Sequence, residues 1–241
     1  EDPYHYFRTQ EVDGAKYLIA GGEDHKTAHE ENTESCFLRL QAYVKTYFNV
    51  DEVSFKWSSQ YFEPADGLPY IGHLPGNPEH VYVATGFGGN GMIYGTMAAT
   101  ILTELIVKGD SLYKKLLNPS RIKPVASFGH IVKEGADVAA KLMSRMIPAD
   151  KLEELADLAP GEAKVVRYEK ETIALFKDEI HNLHAVSSIC PHMKCSVSWN
   201  TAEQSWDCPC HGSRFSCDGE ILTAPCLHAL EKINIIAPKE N

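Results

Sequence analysis

An α/β region followed by an all-β domain is the fold class that the sequence predicts, on three observations. Strand-like and helix-like segments alternate up to about residue 120, short β-rich runs replace them after about residue 160, and six of the seven cysteines fall within 37 residues of that second stretch. The alternation calls for a mixed sheet with helices against it, and the short runs for a small antiparallel domain. A length of 241 residues suits one large domain or two ordinary ones, and an apolar content of 44% is enough for a packed core. A net charge of −10 argues against nucleic acid or an anionic membrane surface, both of which need clustered Lys and Arg. The longest apolar stretch, around Ile101 to Val107, is too short to span a bilayer. With no signal peptide visible, a cytoplasmic location is expected. The chain opens on Glu-Asp-Pro and not on Met, so further sequence upstream is expected.

In chain order, YLIAGG (17–22) reads as a short buried strand ending at glycines, and Phe37, Leu40, Val44 and Phe48 mark one helix face. HVYVAT (80–85) is a second strand, followed by GFGGNG and by Ala98, Ile101, Leu102, Leu105 and Ile106 at helical spacing. LNPSRIKPV (117–125), with two prolines, marks a break. Helices are expected over about 130–146 and about 150–158, ended by APG at 159–161. KVVRY, TIALF and LHAVS are then β-rich runs separated by polar turns. The domains expected are therefore 1–118, a linker with a helix over 119–149, and 150–241.

Six cysteines this close are not a disulfide framework of a small secreted domain, because the total is odd and the chain is long. CPHMKC (190–195) and CPCHGS (208–213) each pair a cysteine with a histidine: Cys190 with His192, and Cys208 with His211, with 15 residues between the two units. A zinc finger takes its cysteines from one knuckle and its histidines from another, so this interleaving is unusual for zinc. It suits a two-iron two-sulfur cluster with both thiolates on one iron and both imidazoles on the other. Cys195 and Cys210 are left over, one beside each unit.

These loops resemble the cluster-binding loops of Rieske iron-sulfur proteins, in the form found in cytochrome bc-type complexes. The resemblance covers roughly 150–241. It implies a small antiparallel β domain with the cluster at its tip, Cys190, His192, Cys208 and His211 as ligands, a disulfide between Cys195 and Cys210, and Ala224-Pro225 as the proline loop over the cluster. It also implies a serine hydroxyl, here Ser213, towards a bridging sulfide. Where high-potential members have a tyrosine directed at a ligand sulfur, this chain has Phe215. Losing that hydrogen bond lowers the expected potential below the top of the Rieske range of roughly −150 to +300 mV. A structural zinc site is the alternative reading of the loops. A Rieske oxygenase would need a further iron domain, and only 30 residues follow His211.

GFGGNG satisfies G-x-G-x-x-G after a strand and before a helix, but no second strand ending in an acidic residue follows about 20 positions on, so a nicotinamide site is not expected. Trp57, the segment Asp66-Gly67-Leu68-Pro69-Tyr70-Ile71-Gly72, HVYVAT, GFGGNGM and the helix after Gly95 resemble, in that order, the C-terminal half of FAD-dependent oxidoreductases of the D-amino-acid oxidase type. The resemblance covers about 1–115. It implies that Gly86, Phe87, Gly88, Gly89, Asn90, Gly91 and Met92 contact a flavin, with FAD expected only in an intact longer protein, because the family's N-terminal βαβ unit is absent from this sequence. The amino-acid oxidases place an arginine four residues after the Trp; Tyr61 stands there, which puts amino-acid substrates in doubt. The function expected is electron transfer through a Rieske cluster, as part of a flavin-dependent oxidoreductase acting on an amine-like small molecule and exchanging electrons with an external one-electron partner. A Rieske module with a non-catalytic docking region is the alternative.

Lesser signals have plainer readings. His25 and His29, with Glu30, would share a face if helical, but read as a solvated turn; Tyr4, Tyr6 and Arg8 read as strand packing that could border a flavin site. His181 and His184 read as hairpin surface, Cys36 as a buried thiol on a helix face, and Cys217 and Cys226 have no assigned partner.

Overall fold

Asp13-Gly14 makes the first fold decision, since both residues take positive φ (51° and 80°), as a two-residue hairpin turn requires. In the computed structural model, which describes residues 4–121, 135–140, 150–151, 158–168 and 171–235, this turn joins β1 (His5–Val12) to β2 (Ala15–Gly22) in an antiparallel pair with Val12 opposite Ala15. YLIAGG is thus half of a hairpin and only half-buried. Helix α1 (Thr33–Tyr47) starts at Asn32, whose Oδ1 accepts from the Ser35 N–H at 3.1 Å. It buries Thr33, Cys36 and Val44, and its Tyr43 ring stacks on His5 of the hairpin at 3.9 Å.

The chain forms two compact units that do not follow chain order: residues 1–58 join 138–241, and 59–137 stand as a unit of their own. In the latter, β3 (Tyr70–His73) pairs antiparallel with β4 (Tyr82–Thr85), and α2 (Gly91–Lys108) follows. The helix starts at Gly91, four residues before the expected Gly95, and ends at Gly109, whose left-handed φ of 73° lets its N–H reach the Leu105 carbonyl. Ile71, Ala98, Ile101 and Leu117 form the core of this unit. The proline-containing stretch is anchored there. Arg121 donates to both carboxylate oxygens of Asp66 at 2.7 and 2.8 Å, and its guanidinium lies 3.9 Å over the Tyr70 ring.

In the first unit, residues 150 onwards build two four-stranded sheets. One has the order β5 (Asp150–Lys151), β6 (Ala163–Tyr168), β7 (Glu171–Lys177), β8 (Leu183–Ser187); the other runs β12 (Ile221–Thr223), β11 (Arg214–Phe215), β10 (Ser205–Asp207), β9 (Ser198–Asn200). Every pairing is antiparallel except β5 on β6. Asp150 and Lys151 are therefore strand and not helix, which corrects the start of the helix expected at 150–158; its residues 152–157 lie outside the described residues. Residues 135–140 are helical, and the rest of the helix expected over 130–146 also lies outside them. TIALF is a nearly continuous apolar run because β7 is buried on both faces: Ile173 and Leu175 pack with Leu158 and Val166, while Ala174 and Phe176 pack with Val186, Trp206 and Phe215. Phe176 stacks on Trp199 at 4.5 Å, and Trp199 meets Trp206 edge-on at 4.8 Å. Cys190, Cys195, Cys208 and Cys226 belong to this same core.

Candidate metal centre

Two six-residue hairpins carry CPHMKC and CPCHGS, the first between β8 and β9 and the second between β10 and β11. Their backbones close alike. The leading N–H donates to the sixth carbonyl (Cys190 to Cys195 at 2.9 Å, Cys208 to Ser213 at 2.8 Å), and the fifth N–H to the leading carbonyl (Lys194 to Cys190 and Gly212 to Cys208, both 3.0 Å). The fifth residue has positive φ in both, 62° at Lys194 and 77° at Gly212, a conformation that glycine adopts without strain. Cys190 and Cys208 thus occupy equivalent positions. His192 and His211 differ by one step, third in one hairpin and fourth in the other.

A disulfide joins Cys195 to Cys210, with Cα atoms 6.4 Å apart, and ties the hairpins together. The Cys195, Cys208 and Cys210 sulfurs lie within 4.8 Å of one another, but the disulfide consumes two of them. Cys190 and Cys208 are free thiols and fully buried, whereas both imidazoles are exposed, with ring centroids 4.9 Å apart. Cys190 hydrogen-bonds to Cys208, which lowers the Cys208 thiol against its burial; the Cys210 and His211 N–H groups help. Cys190, as donor and as a buried thiol, is pushed up. Burial, then the neighbouring His192, pushes His211 down. This donor set fits a [2Fe-2S] cluster: two thiols withdrawn from water and two neighbouring imidazoles at the surface.

The proline loop closes on the second hairpin. Ala224-Pro225 is a cis peptide, the Cys226 N–H donates to Ser213 Oγ at 2.9 Å, and the Cys226 thiol lies within hydrogen-bond reach of Cys190. Phe215 is fully buried opposite Trp206.

Sequence reasoning missed what braces the second hairpin. Asp207 and Arg214 flank it, pair across β10 and β11, and form a buried ion pair at 3.1 Å. Asp207 also accepts from Ser205 Oγ at 2.8 Å and Asn200 Nδ2 at 2.9 Å, and Asn200 Oδ1 accepts from Thr33 Oγ1 of α1 at 2.8 Å. The Ser58 N–H donates to Glu203 at 2.8 Å. The N-terminal helix is thereby tied to the strands that carry the hairpin. An acidic and a basic residue bracketing CPCHGS were the available signal for the inner pair; Thr33 offered none.

The other sequence candidates fall elsewhere. Gly86 to Met92 form the turn from β4 into α2. A Cβ on Gly86 would come 2.6 Å from Pro64 Cγ, so only glycine fits there. Residues 25–29 are not helical; His25 Nδ1 lies 3.5 Å from Cys36 Sγ, and among the described residues His25, His29 and Glu30 do not form a ligand cluster. Tyr4 and Tyr6 are exposed, and Cys36 is buried on α1 as expected. Among the described residues no helix is long and apolar enough to cross a membrane.

Two regions of the chain are similar to known families. The family model described as Rieske [2Fe-2S] domain matches residues 149–234, and the one described as FAD dependent oxidoreductase matches residues 1–105. YhfW of Bacillus subtilis (strain 168), named as a Rieske 2Fe-2S iron-sulfur protein, is 32% identical over 224 residues, covering 93% of this chain and 44% of that protein. The cytochrome b6-f complex iron-sulfur subunit 3 of Nostoc sp. (strain PCC 7120) is 33% identical over 93 residues, 38% of this chain and 51% of that protein. The chain thus spans about half the length of the curated relatives it matches. A solved plasma membrane Rieske protein, PetC3 from Synechocystis PCC 6803, aligns with a TM-score of 0.29 at 23% identity, over 36% of this chain and 85% of that one. This chain accordingly joins a Rieske [2Fe-2S] electron-transfer domain at 149–234 to a region of the FAD-dependent oxidoreductase family at 1–105.

Proposed function

We propose that Cys190, His192, Cys208 and His211 hold the [2Fe-2S] cluster, thiolates on one iron and imidazoles on the other, and that the protein transfers electrons as part of a flavin-dependent oxidoreductase acting on an amine-like small molecule. The observation that supports this most is the pair of backbone-matched hairpins, joined by the Cys195–Cys210 disulfide, each with one buried thiol and one exposed imidazole. The cluster supplies a one-electron couple, which lets a two-electron flavin oxidation be handed to an external partner in single steps. Burial shields the thiolates, and the exposed imidazoles give that partner an approach. Ser213 Oγ accepts from the Cys226 N–H, which leaves its own proton for cluster sulfur. Phe215 has no hydroxyl to add, so the potential lies below the top of the Rieske range.

The flavin contact proposed is Gly86, Phe87, Gly88, Gly89, Asn90, Gly91 and Met92. Most of this turn borders a cleft of about 340 Å³ with Gln60, Tyr61 and Phe62, where backbone amides gather at the N-terminus of α2. Tyr61, standing in place of an arginine, cannot grip a carboxylate bidentately, which points away from amino-acid substrates. A cytoplasmic location completes this reading, and cell fractionation tests it.

Absorption and low-temperature EPR spectra, as isolated and after dithionite, test the cluster. A rhombic signal of mixed Cys and His ligation with two irons per chain is expected; stoichiometric zinc without iron would overturn the electron-transfer reading. Flavin retained by a polypeptide as long as the curated relatives separates the oxidoreductase from a Rieske module with a docking region.

A further inference from the structure

We propose that His184, Cys217 and Asp218 form a second metal site, built for a zinc-class divalent ion and separate from the cluster hairpins. His184 comes from β8, while Cys217 and Asp218 come from the turn between β11 and β12. The fold brings an imidazole nitrogen, a thiol sulfur and a carboxylate oxygen within 4.8 Å of one another. That mixed donor set suits borderline-soft zinc and not magnesium or calcium, which take oxygen alone.

The geometry around His184 carries the inference beyond mere proximity. Nδ1 faces Asp218 Oδ1, the carboxylate of the proposed donor set, at 2.9 Å, while Nε2 faces Asp178 Oδ2 at 3.3 Å. An outer carboxylate of this kind takes the second N–H of a ligating imidazole and fixes the tautomer. Asp178 is itself held by the Ile180 N–H at 3.0 Å, the Asn182 N–H at 2.7 Å and Asn182 Nδ2 at 3.0 Å. Phe176 packs against the imidazole ring with centroids 5.7 Å apart. Cys217 is a free thiol, half-buried against the domain core, and Asp218 is half-exposed, so water can complete a tetrahedron. Binding replaces the thiol proton and any proton on Nδ1, and both pass to solvent.

The test uses the cluster-loaded chain. After addition of Zn²⁺ and gel filtration, iron and zinc are counted together. Wild type is expected to retain one zinc beside an unchanged iron content. Cys217→Ser and His184→Gln are expected to lose the zinc and keep the iron and its EPR signal, and Asp178→Asn to bind zinc about 10–100-fold more weakly. Zinc-edge X-ray absorption of wild type is expected to show one sulfur at about 2.3 Å with nitrogen or oxygen at about 2.0–2.2 Å; this measurement decides alone if a variant fails to fold. Zinc retention no greater than in the variants, zinc entering as iron leaves, or a zinc shell without sulfur would each overturn the proposal and leave His184 as an imidazole bridging two carboxylates.

Discussion

Each compact unit fixes its signature segment with one buried arginine–aspartate pair, yet the two have opposite surroundings. Around Asp207 and Arg214 the chain is dense: the pair sits in a hydrogen-bonded network beside a core that includes Trp206, Phe215 and the site cysteines. Around Asp66 and Arg121 the core is four buried residues, and Met92, Ile93 and Leu112 of the same unit are 82%, 68% and 86% exposed. The Rieske region buries its site cysteines inside its own hydrophobic core. The 59–137 unit ties its Asp66–Gly72 segment down with its ion pair but leaves much apolar surface uncovered, the kind of surface that serves for association. A cluster can be contained by one small domain, whereas a flavin needs walls from more than one element.

The most drastic way to break the comparison is Cys208→Ser. It is expected to abolish the cluster, with iron and the reduced EPR signal falling to background, whereas Gly88→Ala in the glycine turn leaves both intact. Next come the two ion pairs. Asp207→Leu strands a buried guanidinium and is expected to cost about 3–5 kcal/mol in urea unfolding, with loss of iron as the second hairpin loosens. Asp66→Leu has a cost of the same order with the EPR signal preserved. Equal iron loss in both would show that the two units do not hold their sites independently.

Removing the disulfide as Cys195→Ser/Cys210→Ser opens a link between residues 15 apart in sequence, worth about 3 kcal/mol, and should make the cluster labile to chelators. Phe215→Tyr is expected to raise the midpoint potential in voltammetry, because a donor to sulfur favours the reduced state; an unchanged midpoint refutes the account of Phe215. The smallest effect is on pH dependence. The Ala159 N–H, then Lys164, holds the Glu162 carboxyl below its ordinary range, and Ser111, then Lys108, does the same for Glu104 of α2. Each contributes stability that is present above the ordinary carboxylate value and fades as pH falls through the lowered one. Glu162→Gln and Glu104→Gln should flatten the acid limb of the unfolding curve by similar small amounts.

The cysteine–histidine spacing made the metal chemistry legible, because ligand chemistry is a matter of residue type and short loops. The fifth-position glycine of CPCHGS and the strand on either side follow from the same local rules. The hairpin of β1 and β2 was equally available from Asp13-Gly14, and only its weak apolar pattern hid it. Regions that lacked a local signature went unseen. Thr33 reads as an ordinary first-turn residue, and nothing in its neighbourhood announces a partner at Asn200, 167 residues away. His184 is a single residue on β8 and Cys217 a single residue in the turn between β11 and β12, and their meeting depends on how the second sheet lies on the first.

The sequence by itself determined the class of each region and the cofactor of the second, because periodicity, turn chemistry and ligand spacing act over a few residues. Tertiary structure alone decided that residues 1–58 join the Rieske domain, that Arg121 closes on Asp66, and that His184, Cys217 and Asp218 share one corner. Those outcomes arise from burying charge and apolar surface between elements far apart in the chain. A charge leaves water only where a partner waits for it, and no short stretch of sequence states which partner that will be.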